Sequence, residues 1–157
     1  MDVQLADPGG PRSSWWRLRF NGVEVGETGI NAALCGTWGC PVLLVTGDEA
    51  TCREGKALLG EGLTTVAVKK GLGRFSARQL PAPAARERIE QGARQALGDL
   101  SAVKPYDPGS PCAIVVDFNT SDHVEKLRHR PGVEITDGRQ ITSRADDWWT
   151  AWRQFFF

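Results

Sequence analysis

One glutamate, Glu27, is a candidate functional residue. It lies where a predicted helix begins, and the residues on either side of it are small. It lies between Gly26 and Thr28, and helical periodicity starts at Thr28. A carboxylate at this position would be stabilised by the positive end of the helix dipole. Alternatively, its hard oxygens could bind a divalent metal ion, which small neighbours would allow to approach. The pattern alone leaves both interpretations open.

The two histidines, His123 and His129, are poor candidates for a shared metal site. They are six positions apart around a short predicted helix, whereas ligands on one helix face are three or four apart. We therefore interpret both as surface residues. The sequence contains neither a GxSxG nor an HExxH motif, so its local patterns identify no catalytic residue.

A glycine motif, Gly71-Leu72-Gly73, is a weak match to phosphate-binding loops. It lacks the third glycine and precedes no clear helix, so a flexible loop is the preferred interpretation. Lys69 and Lys70 end a predicted parallel strand, where open α/β sheets bind ligands, but exposed lysines are common there. A nucleotide-binding domain is therefore the weakest hypothesis, because fold alone does not fix function.

The composition is that of an ordinary globular protein of about one domain. The 157 residues are 41% hydrophobic, and 19 basic side chains balance 19 acidic ones. This balance gives no electrostatic signature for nucleic acid, and no apolar run is long enough to span a membrane. Without a secretory signal pattern, we expect a cytoplasmic protein. The cysteine spacing fits neither zinc knuckles nor a disulfide framework, so we expect reduced thiols at Cys35, Cys40, Cys52 and Cys112.

The first half of the chain has the alternating strands and helices that would position Glu27. Asp48 is placed to cap the second helix, and Gly60 ends it. The strand, helix and strand that follow Pro41 make a βαβ unit with parallel strands. The predicted elements are strands at 15–20, 42–45 and 64–68 and helices at 28–36 and 48–60.

The sequence pattern of the second half differs from that of the first, and the change follows a proline-rich connector at 104–111. Alternation at 112–118 predicts a half-exposed strand, and Asp137-Gly138 predicts a hairpin turn. An aromatic helix that begins at Trp148 would suit burial at a subunit interface. The other predicted elements are a loop at 71–81, a helix with an apolar stripe from Ala85 to Leu100, a short helix at 121–128 and strands at 133–136 and 140–143.

Several blocks of sequence, in order, resemble the M55 zinc D-aminopeptidases, the dipeptide-operon D-aminopeptidase family. An Asn21-Gly22 turn precedes VGETGINAALCGTWGCPVLLVTGDE, which is similar to the family's VGE-x-G-x-NA and PV-x-x-V-x-GDD patterns. The blocks TTVAVKKGLGRFSARQLPAPAA, VKPYDPGSPCAIVVDF and RPGVEI follow. The resemblance covers about residues 15 to 152.

The resemblance implies that Glu27 is a ligand of a two-zinc centre. Asp48 and Glu49 match two acidic residues of the family, and we expect them near the site or at a structural turn. Asn31 matches an asparagine that would support the site from behind the ligand. The family's other ligands and its catalytic histidine come from an N-terminal half that has no match here, so we expect an incomplete zinc site.

The resemblance implies a mixed α/β fold: the C-terminal part of a doubly wound, three-layer α/β lobe joined to a small α+β unit. We predict a flexible tail at 1–14, an α/β part at 15–104 and a small α+β part at 105–157.

The expected function is a metallo-aminopeptidase that releases N-terminal D-amino acids from short peptides of the D-Ala-D-Ala type. The chain would be a C-terminal part that is inactive alone: a truncated product, one piece of a split enzyme or a remnant. The alternative is a noncatalytic oligomerisation module derived from that family. Expected partners are the peptide, further copies of the chain and a separate N-terminal half, with neither nucleic acid nor membrane.

Overall fold

The computed structural model describes residues 14–73 and 75–156, and within them the chain forms two sheets and five helices. The predicted mixed α/β class is therefore confirmed. The predicted tail at 1–14 lies outside the described residues, apart from Ser14. No helix of the described part is long and apolar enough to cross a membrane. The strands are β1 (Trp15–Phe20), β2 (Val23–Glu24), β3 (Leu44–Asp48), β4 (Thr64–Gly73), β5 (Ser76–Gln79), β6 (Cys112–Phe118), β7 (Val133–Asp137) and β8 (Gln140–Ala145).

The helices begin and end where local sequence signals place them. Asp48 caps the second helix through its side chain, and Gly60, with a φ of 91°, ends that helix. A proline in the first turn opens the third helix. The helices are α1 (Glu27–Thr37), α2 (Glu49–Leu59), α3 (Ala82–Leu97), α4 (Ser121–Leu127) and α5 (Trp148–Phe156).

The larger sheet is antiparallel, with the strand order β2-β1-β6-β8-β7. Asn21 and Gly22 join β1 to β2 with φ angles of 46° and 85°, the geometry of a tight two-residue hairpin turn. The Asn21 side chain also accepts a hydrogen bond from Ala113 N at 2.8 Å. This turn directs the chain from β2 towards the start of α1.

The smaller sheet has the order β3-β4-β5 and contains the predicted parallel pair, β3 and β4, joined through α2. The predicted loop at 71–81 is wrong. β4 continues to Gly73 and turns back into β5, where Lys70 pairs with Arg78. This hairpin is held by backbone pairing and is exposed along its length, so no apolar alternation marked it in the sequence.

The main core lies between the larger sheet and α5. Trp148 and Trp152 stack with ring centroids 5.4 Å apart, and Phe155 is buried beside them. The chain therefore covers these aromatic side chains itself, whereas Phe156 is 48% exposed. A smaller core on the other sheet is formed by Val45, Leu63 and Val103.

Two details of the predicted burial are wrong. The strand at 112–118 is not half-exposed, because it lies between β1 and β8 and its last three residues are buried. The apolar stripe predicted to reach Leu100 ends sooner, since α3 ends at Leu97, where the side chain is 69% exposed. The predicted division at residue 105 stays a prediction, and the larger sheet combines strands from both sides of it.

Candidate functional site

A cavity of about 410 Å³ lies where the N-terminus of α1 meets the C-terminal end of β3 and the flank of α2. Its volume is within the range of pockets that bind small molecules. The side chains that α1 and α2 contribute to its wall are polar, and those of residues 42, 44 and 45 are apolar. The lining residues are Glu27, Thr28, Asn31, Val42, Leu44, Val45, Thr46, Gly47, Asp48, Thr51, Glu54 and Lys69.

Glu27 is the first residue of α1 and lines this cavity with an exposed side chain. Gly26 precedes it as the N-cap in an extended conformation, and no side chain of the segment caps the helix. The positive end of the helix dipole favours a carboxylate here. Within the described residues the Glu27 carboxylate has no hydrogen-bond or ion-pair partner, so its oxygens are available to a ligand.

Glu54, a residue that the sequence analysis missed, lies beside Glu27 in the cavity wall. Its Oε1 accepts a hydrogen bond from Gly26 N at 2.7 Å. Burial raises the pKa of the Glu54 carboxyl, and the Gly26 amide opposes this rise. The sequence did contain a signal for this residue: Glu54 is three positions after Thr51 and four before Leu58, a spacing that puts it on the partly buried side of α2.

Asp48 lines the cavity, but both of its carboxylate oxygens already bind backbone amides. Oδ1 accepts from Ala50 N at 2.8 Å and caps α2, while Oδ2 accepts from Gly71 N at 2.5 Å. Asp48 therefore lies both at a structural turn and in the cavity wall. Its oxygens are directed to the backbone rather than into the cavity.

Glu49 and Asn31 differ in their relation to the cavity. Glu49 is not among the lining residues, and its Oε2 lies 3.8 Å from Lys70 Nζ and 4.0 Å from Arg53 Nη1. Asn31 lines the cavity with an exposed side chain, one helical turn after Glu27. Asn31, Glu27 and Asp48 therefore share one cavity, and Glu49 lies outside its wall.

The cavity carries charges of both signs. Carboxylates line the α1 and α2 side, and Lys69, the partner of Asp48 in the β3–β4 register, contributes an exposed cation. Such a wall can bind both ends of a small zwitterionic molecule.

Glu27 suits a metal ion as a single ligand, and the described residues do not complete a site around it. In residues 14–73 and 75–156, no three His, Cys, Asp or Glu side chains are close enough together to hold a metal. His123 stacks on Phe118 with ring centroids 5.5 Å apart, and His129 is exposed just after the end of α4. The four cysteines form no disulfides and belong to no metal-binding group in this part of the chain.

Fold and site together define a class: a mixed α/β protein with one available carboxylate at a helix N-terminus beside a polar cavity. The model of peptidase family M55, described as D-aminopeptidase, matches residues 12–157. The chain therefore belongs to this family, and the resemblance carried by the sequence motifs is confirmed.

A sequence match and a structural match, both to D-aminopeptidases of Bacillus subtilis, show how much of the chain is shared. A D-aminopeptidase of strain 168 is 35% identical over 120 residues, which cover 76% of this chain and 43% of the relative. The solved structure of the Zn-dependent D-aminopeptidase DppA, described as a self-compartmentalizing protease, superposes with a TM-score of 0.84 at 27% identity. That match covers 92% of this chain and 53% of DppA, so the chain spans about half the length of these relatives.

Proposed function

We propose that this chain contributes Glu27 as one zinc ligand to a D-aminopeptidase that releases N-terminal D-amino acids from short peptides. The observation that carries the proposal is the position of Glu27: it stands in the family's VGE motif, lines the cavity and has no partner among the described residues. Zinc, when bound, supplies polarisation of the scissile carbonyl and an activated water.

The cavity wall supports a short peptide as the substrate. About 410 Å³ is enough for a small ligand, and the wall contains both carboxylates and the Lys69 ammonium. The ammonium of a peptide N-terminus would be attracted to Glu54, and its carboxylate to Lys69. D-alanyl-D-alanine has both groups and suits the volume.

The remaining metal ligands, in this proposal, come from outside the described residues. A two-metal site needs several ligands, and Glu27 alone cannot bind zinc tightly. A separate N-terminal half or another subunit would supply the missing Asp-x-Glu and histidine ligands. Self-association is supported by the description of DppA as self-compartmentalizing. A cytoplasmic location is supported by the unpaired cysteines, whose thiols persist in a reducing compartment.

The first test measures zinc content and D-alanyl-D-alanine hydrolysis of the purified chain, with and without added Zn²⁺. We expect weak zinc binding and no turnover, and binding should weaken by at least about tenfold in Glu27→Gln. Glu61→Gln is the matched control, since the Glu61 side chain is 90% exposed and pairs with Lys56 instead. Sub-micromolar zinc binding that Glu27→Gln leaves unchanged would contradict the ligand assignment.

The second candidate function is a noncatalytic oligomerisation module derived from the same family. It is favoured by large apolar side chains that are solvent-exposed, among them Trp38 at 74% and Leu72 at 67%. Light scattering of the chain and of a Trp38→Ser variant separates the candidates. Two results together would favour the noncatalytic module: the chain forms an oligomer that the Trp38→Ser variant loses, and its zinc binding does not change when Glu27 is replaced.

A further inference from the structure

We propose that Glu54 is a positioning residue, which fixes from α2 the backbone that carries Glu27. This inference rests on the proposed function, in which Glu27 is a metal ligand, and it names the residue that holds this ligand in place. The contact is the hydrogen bond from Gly26 N to Glu54 Oε1, at 2.7 Å, between residues 28 positions apart.

The packing around Gly26 shows how closely the Glu54 carboxylate fits. A Cβ atom at position 26 would lie 2.7 Å from Glu54 Oε1, closer than real Cβ contacts, and 3.0 Å from Oε2. The φ of Gly26 is −96°, so this glycine is not required for a left-handed backbone. A side chain at position 26 would instead displace the Glu54 carboxylate from the position in which it accepts from the Gly26 amide.

The contact acts as a helix cap supplied by a neighbouring helix. In a capping box, a glutamate of the first turn reaches back to the N-cap amide of its own helix. In α1 no side chain of the segment does this, and Glu54 of α2 binds the N-cap amide instead. Since Glu27 follows Gly26 directly, Glu54 fixes the backbone from which the Glu27 carboxylate extends. Metal ligands must be held to within about 0.5 Å of their working position.

The first arm of the test follows the Gly26 amide by NMR hydrogen exchange in the ¹⁵N-labelled 157-residue chain. We expect Glu54→Ala to speed exchange at Gly26 by about fivefold or more. Glu54→Gln should retain protection because its amide oxygen still accepts the hydrogen bond. Glu61→Gln is the control and should leave Gly26 unchanged. Unchanged exchange in a folded Glu54→Ala variant would overturn the proposal.

The second arm titrates Zn²⁺ alone and follows the Glu27 amide shift, a readout that detects weak binding. Glu54→Ala should weaken binding by about tenfold, as loss of an outer partner does, while Glu54→Gln stays near wild type. In a Glu27→Gln background, Glu54→Ala should have no further effect, since it acts through Glu27. A variant that only loosened the fold would weaken binding equally in both backgrounds.

The outcomes separate this inference from the proposed function. If Glu27→Gln weakens zinc binding and Glu54→Ala does not, the positioning role fails and the ligand assignment stands. If Glu54→Gln weakens binding as much as Glu54→Ala, Glu54 is itself a ligand and the positioning role is wrong. If Glu27→Gln has no effect on zinc binding, the ligand assignment fails, and the hydrogen-exchange arm alone decides whether Glu54 fixes the backbone at Gly26.

Discussion

Gly71 donates its backbone amide to Oδ2 of Asp48 at 2.5 Å, which ties the outer part of β4 to the residue that caps α2. The other oxygen of Asp48 accepts from Ala50 N at 2.8 Å. One carboxylate therefore joins the end of β3, the start of α2 and the β4–β5 hairpin. These three elements border the cavity that Glu27 lines.

The double contact of Asp48 predicts a stability loss that depends on its two oxygens. Asp48→Ala should lower the free energy of unfolding by about 1–2 kcal/mol, because the α2 cap and the Gly71 contact are both lost. Asp48→Asn should cost less, since its amide oxygen still accepts one hydrogen bond. Urea denaturation measures both. Glu49→Ala is the control, and it should lower the free energy of unfolding by under about 0.5 kcal/mol because the ion pairs of Glu49 are long and exposed. Equal stability losses in the Asp48 and Glu49 variants would contradict the prediction.

Adding a side chain at Gly36 should cause a severe steric clash, because α1 approaches the connector before β6 closely at this position. A Cβ atom at position 36 would lie 1.9 Å from the carbonyl oxygen of Tyr106, which belongs to the backbone and cannot move aside. Gly36→Ala should therefore destabilise the fold by about 3 kcal/mol or more. Gly138→Ala is the matched control, with nothing within 4 Å of its Cβ. Thermal unfolding of both variants is the measurement, and a wild-type melting temperature for Gly36→Ala would show that the two segments separate easily.

Much of the fold could be predicted because its signals are local. The Asp48 cap, the Gly60 stop and the Asp137-Gly138 turn each act within a few residues, so the sequence around them is sufficient. The position of Glu27 at the first turn of α1 was predictable for the same reason. The parallel pairing of β3 with β4 followed from two predicted strands joined by one predicted helix, and neither strand is fully buried.

The parts that could not be predicted depend on contacts between distant positions. The hairpin at 71–79 is held by backbone pairing on an exposed surface, so its side chains carry no periodic signal. Glu54 acquires its role only because α2 packs beside the start of α1. Asp117, on a strand that was predicted to be half-exposed, is buried between β1 and β8, where Arg19 pairs with it from 98 positions away.

Removing Asp117 should lower the stability of the fold strongly, because this residue forms an ion pair with Arg19. Asp117 is 8% exposed and accepts from Arg19 Nη2 at 2.5 Å and from Gln140 Nε2 at 2.6 Å. Asp117→Ala should cost about 2–3 kcal/mol, because a partly buried guanidinium loses its counter-charge. Glu125→Ala, which breaks only the exposed pair with Arg128, should leave the unfolding midpoint close to that of the wild type. Urea denaturation compares the two, and similar losses would show that solvent reaches Arg19.

The Cys112 thiol predicts a pH dependence of stability. Burial, assisted by Asp107 and Asp147, raises its pKa from 9.0 to about 11. Between these values the unfolded thiol loses its proton first, so the stability that Cys112 contributes is complete below pH 9 and falls as the pH rises towards 11. The difference in unfolding free energy between wild type and Cys112→Ala should therefore be smaller at pH 10 than at pH 8.

Alkylation at pH 8 gives an independent check of the burial of Cys112. Iodoacetamide should modify the exposed Cys40 in the native chain and Cys112 only after unfolding. A pH-independent difference, or rapid native alkylation of Cys112, would mean that water reaches this end of β6.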